Sequence, residues 1–182
     1  DGEFTRQEVI LPRKTVLELG KLLVDSDDPV SIDILANQVR FRFANVELVS
    51  KVVDGKFPDY NRVIPVGHTK SITRDRTILL AALQRAAILA NEKFRGVRLV
   101  LGPDHLKIIC SNAEQEEAEE EVEVTYDGEE LEIGFNVNYL LDALAAVDGA
   151  DVQVGLTDGN SSCLIRATQD GSARYVVMPM RL

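Results

Sequence analysis

An α+β fold assembled from repeated β-α-β-β-β units is the class this sequence predicts, and three observations carry it. First, Leu131, Ile133 and Phe135 alternate, then Val137, Leu140, Leu141 and Leu144 recur at helical spacing, then Val152, Val154 and Leu156 alternate again. Period two is the mark of a half-buried strand, and the 3, 4, 7 spacing that of one helix face. Second, the same succession occurs upstream twice, from Val9 and from about Ser71. Third, turn-forming pairs punctuate the apolar runs: Ala36-Asn37, Ala44-Asn45, Asp127-Gly128 and Asp158-Gly159.

The first copy opens with a short strand, Val9-Ile10-Leu11. Pro12 then heads a helix, where its missing amide costs nothing, and Val16, Leu19 and Leu23 form the apolar face. The polar run Asp25-Ser26-Asp27-Asp28 closes it. Three alternating strands follow, over residues 30–34, 39–43 and 46–53. Pro58, Pro65 and the polar Gly67-His68-Thr69-Lys70 mark a linker, dividing the chain into residues 1–67 and 68–182.

In the second copy Thr73 or Asp75 caps a helix over residues 77–90, with Leu80, Leu83 and Ala87 on one face. Val97, Leu99 and Leu101 form a strand, Gly102-Pro103-Asp104-His105 turns, and Leu106, Ile108 and Cys110 return. An acidic segment leads into Val122, Val124 and Tyr126, and Asp127-Gly128-Glu129-Glu130 turns into the third copy. There Asn136 is a suitable N-cap and Gly149 is placed to end the helix. Two strands complete the chain.

With 182 residues and 45% hydrophobic content, the chain can build a sizeable core. Its formal net charge of −10 argues against indiscriminate binding to phosphate backbones unless the basic residues are segregated onto one surface. No apolar run approaches the roughly 20 residues of a membrane span, and the N-terminus has no signal-peptide pattern. Cys110 and Cys163 both fall within strands and read as free buried thiols of a cytosolic protein.

Nothing in the sequence assembles a reaction centre. The glycine turns sit in hairpins and open no helix, so they do not form a phosphate cradle. His68 and His105 read as free surface histidines in loops without metal-ligand spacing, and neither stands in a nucleophile motif. No catalysis, cofactor or metal is expected. Three features stand out instead. Six acids fall in the eight residues 114–121, either blunting a strand edge or meeting a basic partner. Ile88-Leu89 ends a helix, as core or as a partner contact. The tail Val176-Val177-Met178-Pro179-Met180-Arg181-Leu182 is apolar enough to line a groove, with Pro179 breaking strand pairing and freeing the last residues.

Several stretches carry a family resemblance. They are residues 9–14, Lys51-Val52-Val53-Asp54-Gly55-Lys56-Phe57-Pro58-Asp59-Tyr60, Ala87-Ile88-Leu89-Ala90-Asn91-Glu92-Lys93-Phe94-Arg95-Gly96-Val97, residues 132–136 and residues 175–182. From about Glu8 onward the chain resembles the C-terminal half of the bacterial DNA polymerase III beta subunits, the sliding clamps; the residues before Glu8 match poorly and read as a vector remnant. The resemblance implies a DNA clamp fold, with antiparallel sheets outside and helices on the inner face. In that family two three-domain protomers form a ring around duplex DNA. Residues 1–67 would be the second half of the middle domain and residues 68–182 the complete third domain, with the preceding domain and a half absent from a truncated chain that does not close a ring alone.

The resemblance also implies roles. Pro58, Arg62, Val63, Phe94, Asn136, Tyr139, Ser162, Val176, Val177, Met178, Pro179, Met180, Arg181 and Leu182 stand where the family binds short peptides of DNA polymerases, the clamp loader and repair proteins. Asn160 falls there too, although relatives often carry an aliphatic residue at that place. Ile88 and Leu89 stand at the apolar homodimer contact, and Glu116, Glu117, Glu119 and Glu120 where the family pairs with basic residues of the other protomer. Arg13 and Lys14 match DNA-facing residues. The implied function is that of a non-catalytic processivity factor in the bacterial cytoplasm. Read without the resemblance, the residues suggest a free-standing acidic adaptor that binds protein partners and has no role with DNA.

Overall fold

The computed structural model describes residues 7–90, 93, 95–169 and 172–181. These divide into two compact units, residues 1–58 and 59–182. The units part at Pro58, earlier than the linker at Gly67 that the prolines suggest. Only a 3₁₀ turn, Tyr60–Arg62, interrupts the irregular stretch between them, so hydrophobic periodicity offers no edge there.

In the first unit, helix α1 (Arg13–Leu22) is followed by strands β1 (Ser31–Ile34), β2 (Gln38–Phe43) and β3 (Val46–Lys51). They form an antiparallel sheet in the order β1-β2-β3. Pro12 stands at the N-cap of α1 without a side-chain cap, and the carbonyl of Pro12 accepts from the Thr15 amide at 2.9 Å. The strand expected at residues 9–11 is reduced to a single bridge, Ile10 to Val53, because Pro12 supplies no amide to extend the ladder. No residue of α1 is buried; the buried side chains of this unit are Val39 and Phe41, both on β2.

The second unit holds two further copies. The first is β4 (Lys70–Asp75), α2 (Arg76–Ala86), β5 (Gly96–Gly102), β6 (His105–Ser111) and β7 (Glu117–Glu123). The second is β8 (Leu131–Asn136), α3 (Val137–Ala146), β9 (Asp151–Leu156), β10 (Cys163–Ala167) and β11 (Tyr175–Val177). The two antiparallel sheets have the orders β11-β10-β9-β4 and β7-β6-β5-β8. Each copy thus gives its first strand to the other copy's sheet: β4 pairs with β9, Ile72 opposite Val154, and β8 pairs with β5, Ile133 opposite Leu99. The alternating residues of both sheets and the inner faces of α2 and α3 enter one continuous core.

Asp75 caps α2, its carboxylate accepting from the amides of Thr77 at 2.8 Å and Ile78 at 3.0 Å. These bonds, with that from the Thr77 hydroxyl, hold its pKa below the usual carboxylate range. The helix is shorter than the expected residues 77–90, ending at Ala86 and tightening into a 3₁₀ turn, Ala87–Leu89. Its buried face is Leu79, Ala82, Leu83 and Ala86, rotated from the expected Leu80-Leu83-Ala87 stripe. Apolar residues on most sides of this helix made several stripes equally good by spacing. Asn136 caps α3 by accepting from the Asn138 amide at 3.0 Å. Gly149 does not cap that helix, which ends at Ala146 with Val147 extended; Gly149 takes φ +139 in the turn into β9.

Candidate functional site

The tail makes a crossing between the two sheets. β11 pairs with β10, Val177 opposite Cys163, and the Met180 amide then donates to the Gly134 carbonyl on edge strand β8 at 2.8 Å. Pro179 therefore redirects the segment to a second sheet; it does not leave Met180 free. The β9–β10 turn meets the same edge, for a Cβ on Gly159 would lie 2.8 Å from the Glu132 carbonyl oxygen, closer than a real side chain tolerates. Asp158 fixes that turn by accepting from the Asn160 amide and the Ser161 hydroxyl, which lower its pKa.

Beside this crossing lies a groove of about 610 Å³. One segment of its lining belongs to α3, with the exposed Tyr139 and Asp142 and the buried Ala143; the other runs from Arg174 through Tyr175, Val176 and Val177 to Met178. The Tyr175 hydroxyl donates to the Ala146 carbonyl at 2.8 Å, tying β11 to the last turn of α3. The Ser162 hydroxyl donates to Met178 Sδ at 3.0 Å. Tyr139 and Met178 are 60% and 61% exposed, so two large apolar side chains stand open to solvent at a preformed concavity, the usual setting of a ligand site.

A second patch lies where α2 ends. Ile88 is 80% exposed on the 3₁₀ turn, and a cleft of about 550 Å³ is lined by Ile88, Leu89, Ala90, Lys93, Asn112, Ala113 and Glu114. Of the neighbouring acids, Glu117, Glu119, Glu120 and Glu121 belong to β7 itself, an edge strand, while Glu114 and Glu116 precede it. Each acid anticipated as an intersubunit partner has a partner within the chain. Glu120 accepts from Arg85 Nε at 2.9 Å and Nη2 at 2.6 Å, which lowers its pKa. Glu119 pairs with Lys107 at 2.9 Å, Glu117 with Arg98 at 3.9 Å, and Glu116 accepts from Asn112 Nδ2 at 2.7 Å. In the first unit, Arg13 and Lys14 are exposed at the start of α1.

Comparison with known proteins decides the family. Residues 61–181 match the family model described as DNA polymerase III beta subunit, C-terminal domain, and residues 2–59 match that of its central domain. The chain belongs to the DNA polymerase III beta subunit family. It is 51% identical over 182 residues to the beta sliding clamp of Haemophilus influenzae, covering all of this chain and 50% of that protein. It is 50% identical to that of Escherichia coli K12, over 96% of this chain and 48% of that one. A crystal structure of the DNA polymerase sliding clamp from Pseudomonas aeruginosa superposes with a TM-score of 0.88 at 50% identity, covering 96% of this chain and 48% of that one. The beta sliding clamp of Caulobacter crescentus gives 0.86 at 40% identity, over 96% and 46%. The chain spans about half the length of the curated relatives it matches.

Of the residues that the family resemblance singles out, the structure gathers Tyr139, Val176, Val177 and Met178 at the groove and ties Ser162 to Met178. Asn136, Pro179 and Met180 flank it through the α3 cap and the tail crossing. Arg62, whose guanidinium lies 3.5 Å from Asp59, and the exposed Val63 do not line it; neither do Asn160 and the exposed Arg181. Pro58 falls in the other compact unit. Phe94 and Leu182 lie outside the described residues.

Asp142, Ala143, Arg174 and Tyr175 line the groove without having been anticipated. Helical spacing from Tyr139 would have found Asp142 and Ala143, which lie one turn further along the same face. Neither histidine is a free surface group. The His68 ring lies over Gly155, where a Cβ would come within 2.7 Å of it, and His105 Nδ1 donates to the Pro103 carbonyl at 2.7 Å. Among the described residues no three His, Cys, Asp or Glu side chains converge to hold a metal. No helix among the described residues is long and apolar enough to cross a membrane.

Proposed function

We propose that this chain works as part of a sliding clamp, a non-catalytic processivity factor that holds DNA polymerases on duplex DNA in the bacterial cytoplasm. The groove between α3 and the tail is the tether. A concavity with Tyr139, Val176, Val177 and Met178 on its lining suits two or more apolar side chains of a short peptide. Each such side chain buried is worth roughly 1.5–3 kcal/mol before ordering costs. Met178 adapts to varied shapes, and Tyr139 offers a flat apolar face with a polar tip. The peptides are those of polymerases, the clamp loader and repair proteins.

Residues 1–58 then correspond to the second half of the middle domain and residues 59–182 to the third. Ile88 and Leu89 form the homodimer contact of the whole ring. Glu116, Glu117, Glu119 and Glu120 exchange or share their present partners with basic residues of the neighbouring protomer. Arg13 and Lys14 face DNA.

The groove is the observation that carries this reading, and it is directly testable. Calorimetric titration with a peptide bearing Gln-Leu followed by Leu-Phe should give saturable binding. Tyr139→Ala and Met178→Ala should each weaken it by about tenfold, the loss of one well-packed apolar contact. Unchanged affinity in both variants would remove the groove from the function.

A further inference from the structure

Two unpaired charges of opposite sign border the apolar lining of the groove. Asp142 stands on α3 and Arg174 immediately before β11. Among the described residues neither has a hydrogen bond or ion pair, whereas several other arginines are engaged. Arg40 and Arg42 share Asp33, Arg62 meets Asp59, and Arg85 holds Glu120. Arg98 lies between Glu117 and Glu132, and Arg76 donates to the carbonyls of Gly149 and Leu144. Arg174 is the arginine that lines the apolar groove, and among the described residues none of the carboxylates of this acidic chain, 30 against 20 basic residues, is paired with it.

We infer that Arg174 is a specificity-determining residue of the groove, selecting peptides that carry a carboxylate next to their apolar anchors. This rests on the reading of the groove as a peptide site and adds the charge of its occupant. A guanidinium presents a planar fork that matches a carboxylate with two parallel hydrogen bonds. The backbone beside Arg174 is anchored, because the next residue, Tyr175, is tied to α3 through its hydroxyl. A cationic peptide would find carboxylates over much of this acidic surface, so a positive charge would discriminate poorly. An acidic peptide is opposed by the net charge of −10 and gains a local partner only where a free cation waits. Asp142, on the other segment of the lining, repels the same carboxylate and so fixes which side of the groove it occupies.

The test uses the whole chain and a peptide set with two apolar pairs, Gln-Leu and Leu-Phe, carrying one Glu or one Lys placed in turn before, between and after them. At one position the wild type should prefer Glu over Lys by about fivefold, the upper range of an exposed ion pair. Arg174→Glu should reverse that order, and Arg174→Gln should bring the ratio close to one. Loss of packing alone cannot produce a reversal. If all peptides bind but the Glu-to-Lys ratio is near one in the wild type, or unchanged in the variants, Arg174 does not select and the peptide-site reading survives. If no peptide binds the wild type, both readings fall.

Discussion

The β-α-β-β-β unit occurs once in residues 1–58 and twice in residues 59–182, and the two settings bury it differently. In the second unit the paired copies exchange their first strands, and α2 and α3 contribute eight buried residues to a shared core. In the first, α1 buries none, and Leu17 remains 51% exposed. The helix sequences do not explain this, because α1 also carries Val16, Leu19 and Leu22. One helix over one small sheet closes only one side of its apolar surface. A pair of copies, with each sheet completed by the other's strand, is the smallest arrangement here that encloses a core.

The largest expected effect separates the two units directly. Phe135→Ala empties a fully buried site in β8 and should cost about 3–5 kcal/mol in urea denaturation. Leu17→Ala should stay within about 0.5 kcal/mol. Similar costs for the two would break the comparison. Amide exchange sharpens it next: Val152 and Val154, at the centre of the larger unit, should exchange orders of magnitude more slowly than Phe41 or Leu48 in the first sheet.

The thiols offer a smaller, pH-dependent effect. Burial pushes Cys163 up to about 12 and Cys110 up to about 11. Unfolding would restore values near 9, so the denatured state releases these protons first. The thiols' contribution to stability should be constant below about pH 9 and fall between 9 and 12, by at most about 1.4 kcal/mol per pH unit and thiol. Native protein should also resist alkylation at pH 8; rapid native labelling would show that the core opens easily. The smallest effect belongs to the α2 cap. Asp75→Ala should lower the melting temperature modestly at neutral pH. The difference from wild type should shrink as pH falls below about 4, where the carboxylate that caps the helix is lost.

Much of this architecture was legible in the sequence. Period-two alternation located β2, β3, β5, β6, β8 and β9, and Asn136 announced the cap of α3. The strand exchange was not legible, since Ile72 and Ile133 alternate with their neighbours whichever sheet receives them. β7 was hidden because alternate positions are glutamates on an edge, where charge replaces the apolar signal. At the groove, the tail was legible from its apolar run and methionines, and Tyr139 from family likeness. Asp142 was within reach of helical spacing from Tyr139, but neither its charge nor that of Arg174 stood out, because ordinary surface charges become distinctive only when structure places them beside an apolar concavity.

The exchange of strands also sets an order of events for a chain leaving the ribosome. β4 emerges early, yet its partner is β9, with Thr73 opposite Gln153. Until α3 and β9 have been synthesised, β4 has no neighbour, and the sheet of β5, β6 and β7 lacks β8 at its border. Such long-range pairing slows folding, because a large loop must close before its contacts give any return. The nascent second unit therefore passes through a stage in which two strand edges are open to any passing segment. The glutamates of β7 guard one side of the growing sheet during that interval. The β5 side, apolar at Val97, Leu99 and Leu101, has no such guard until β8 arrives.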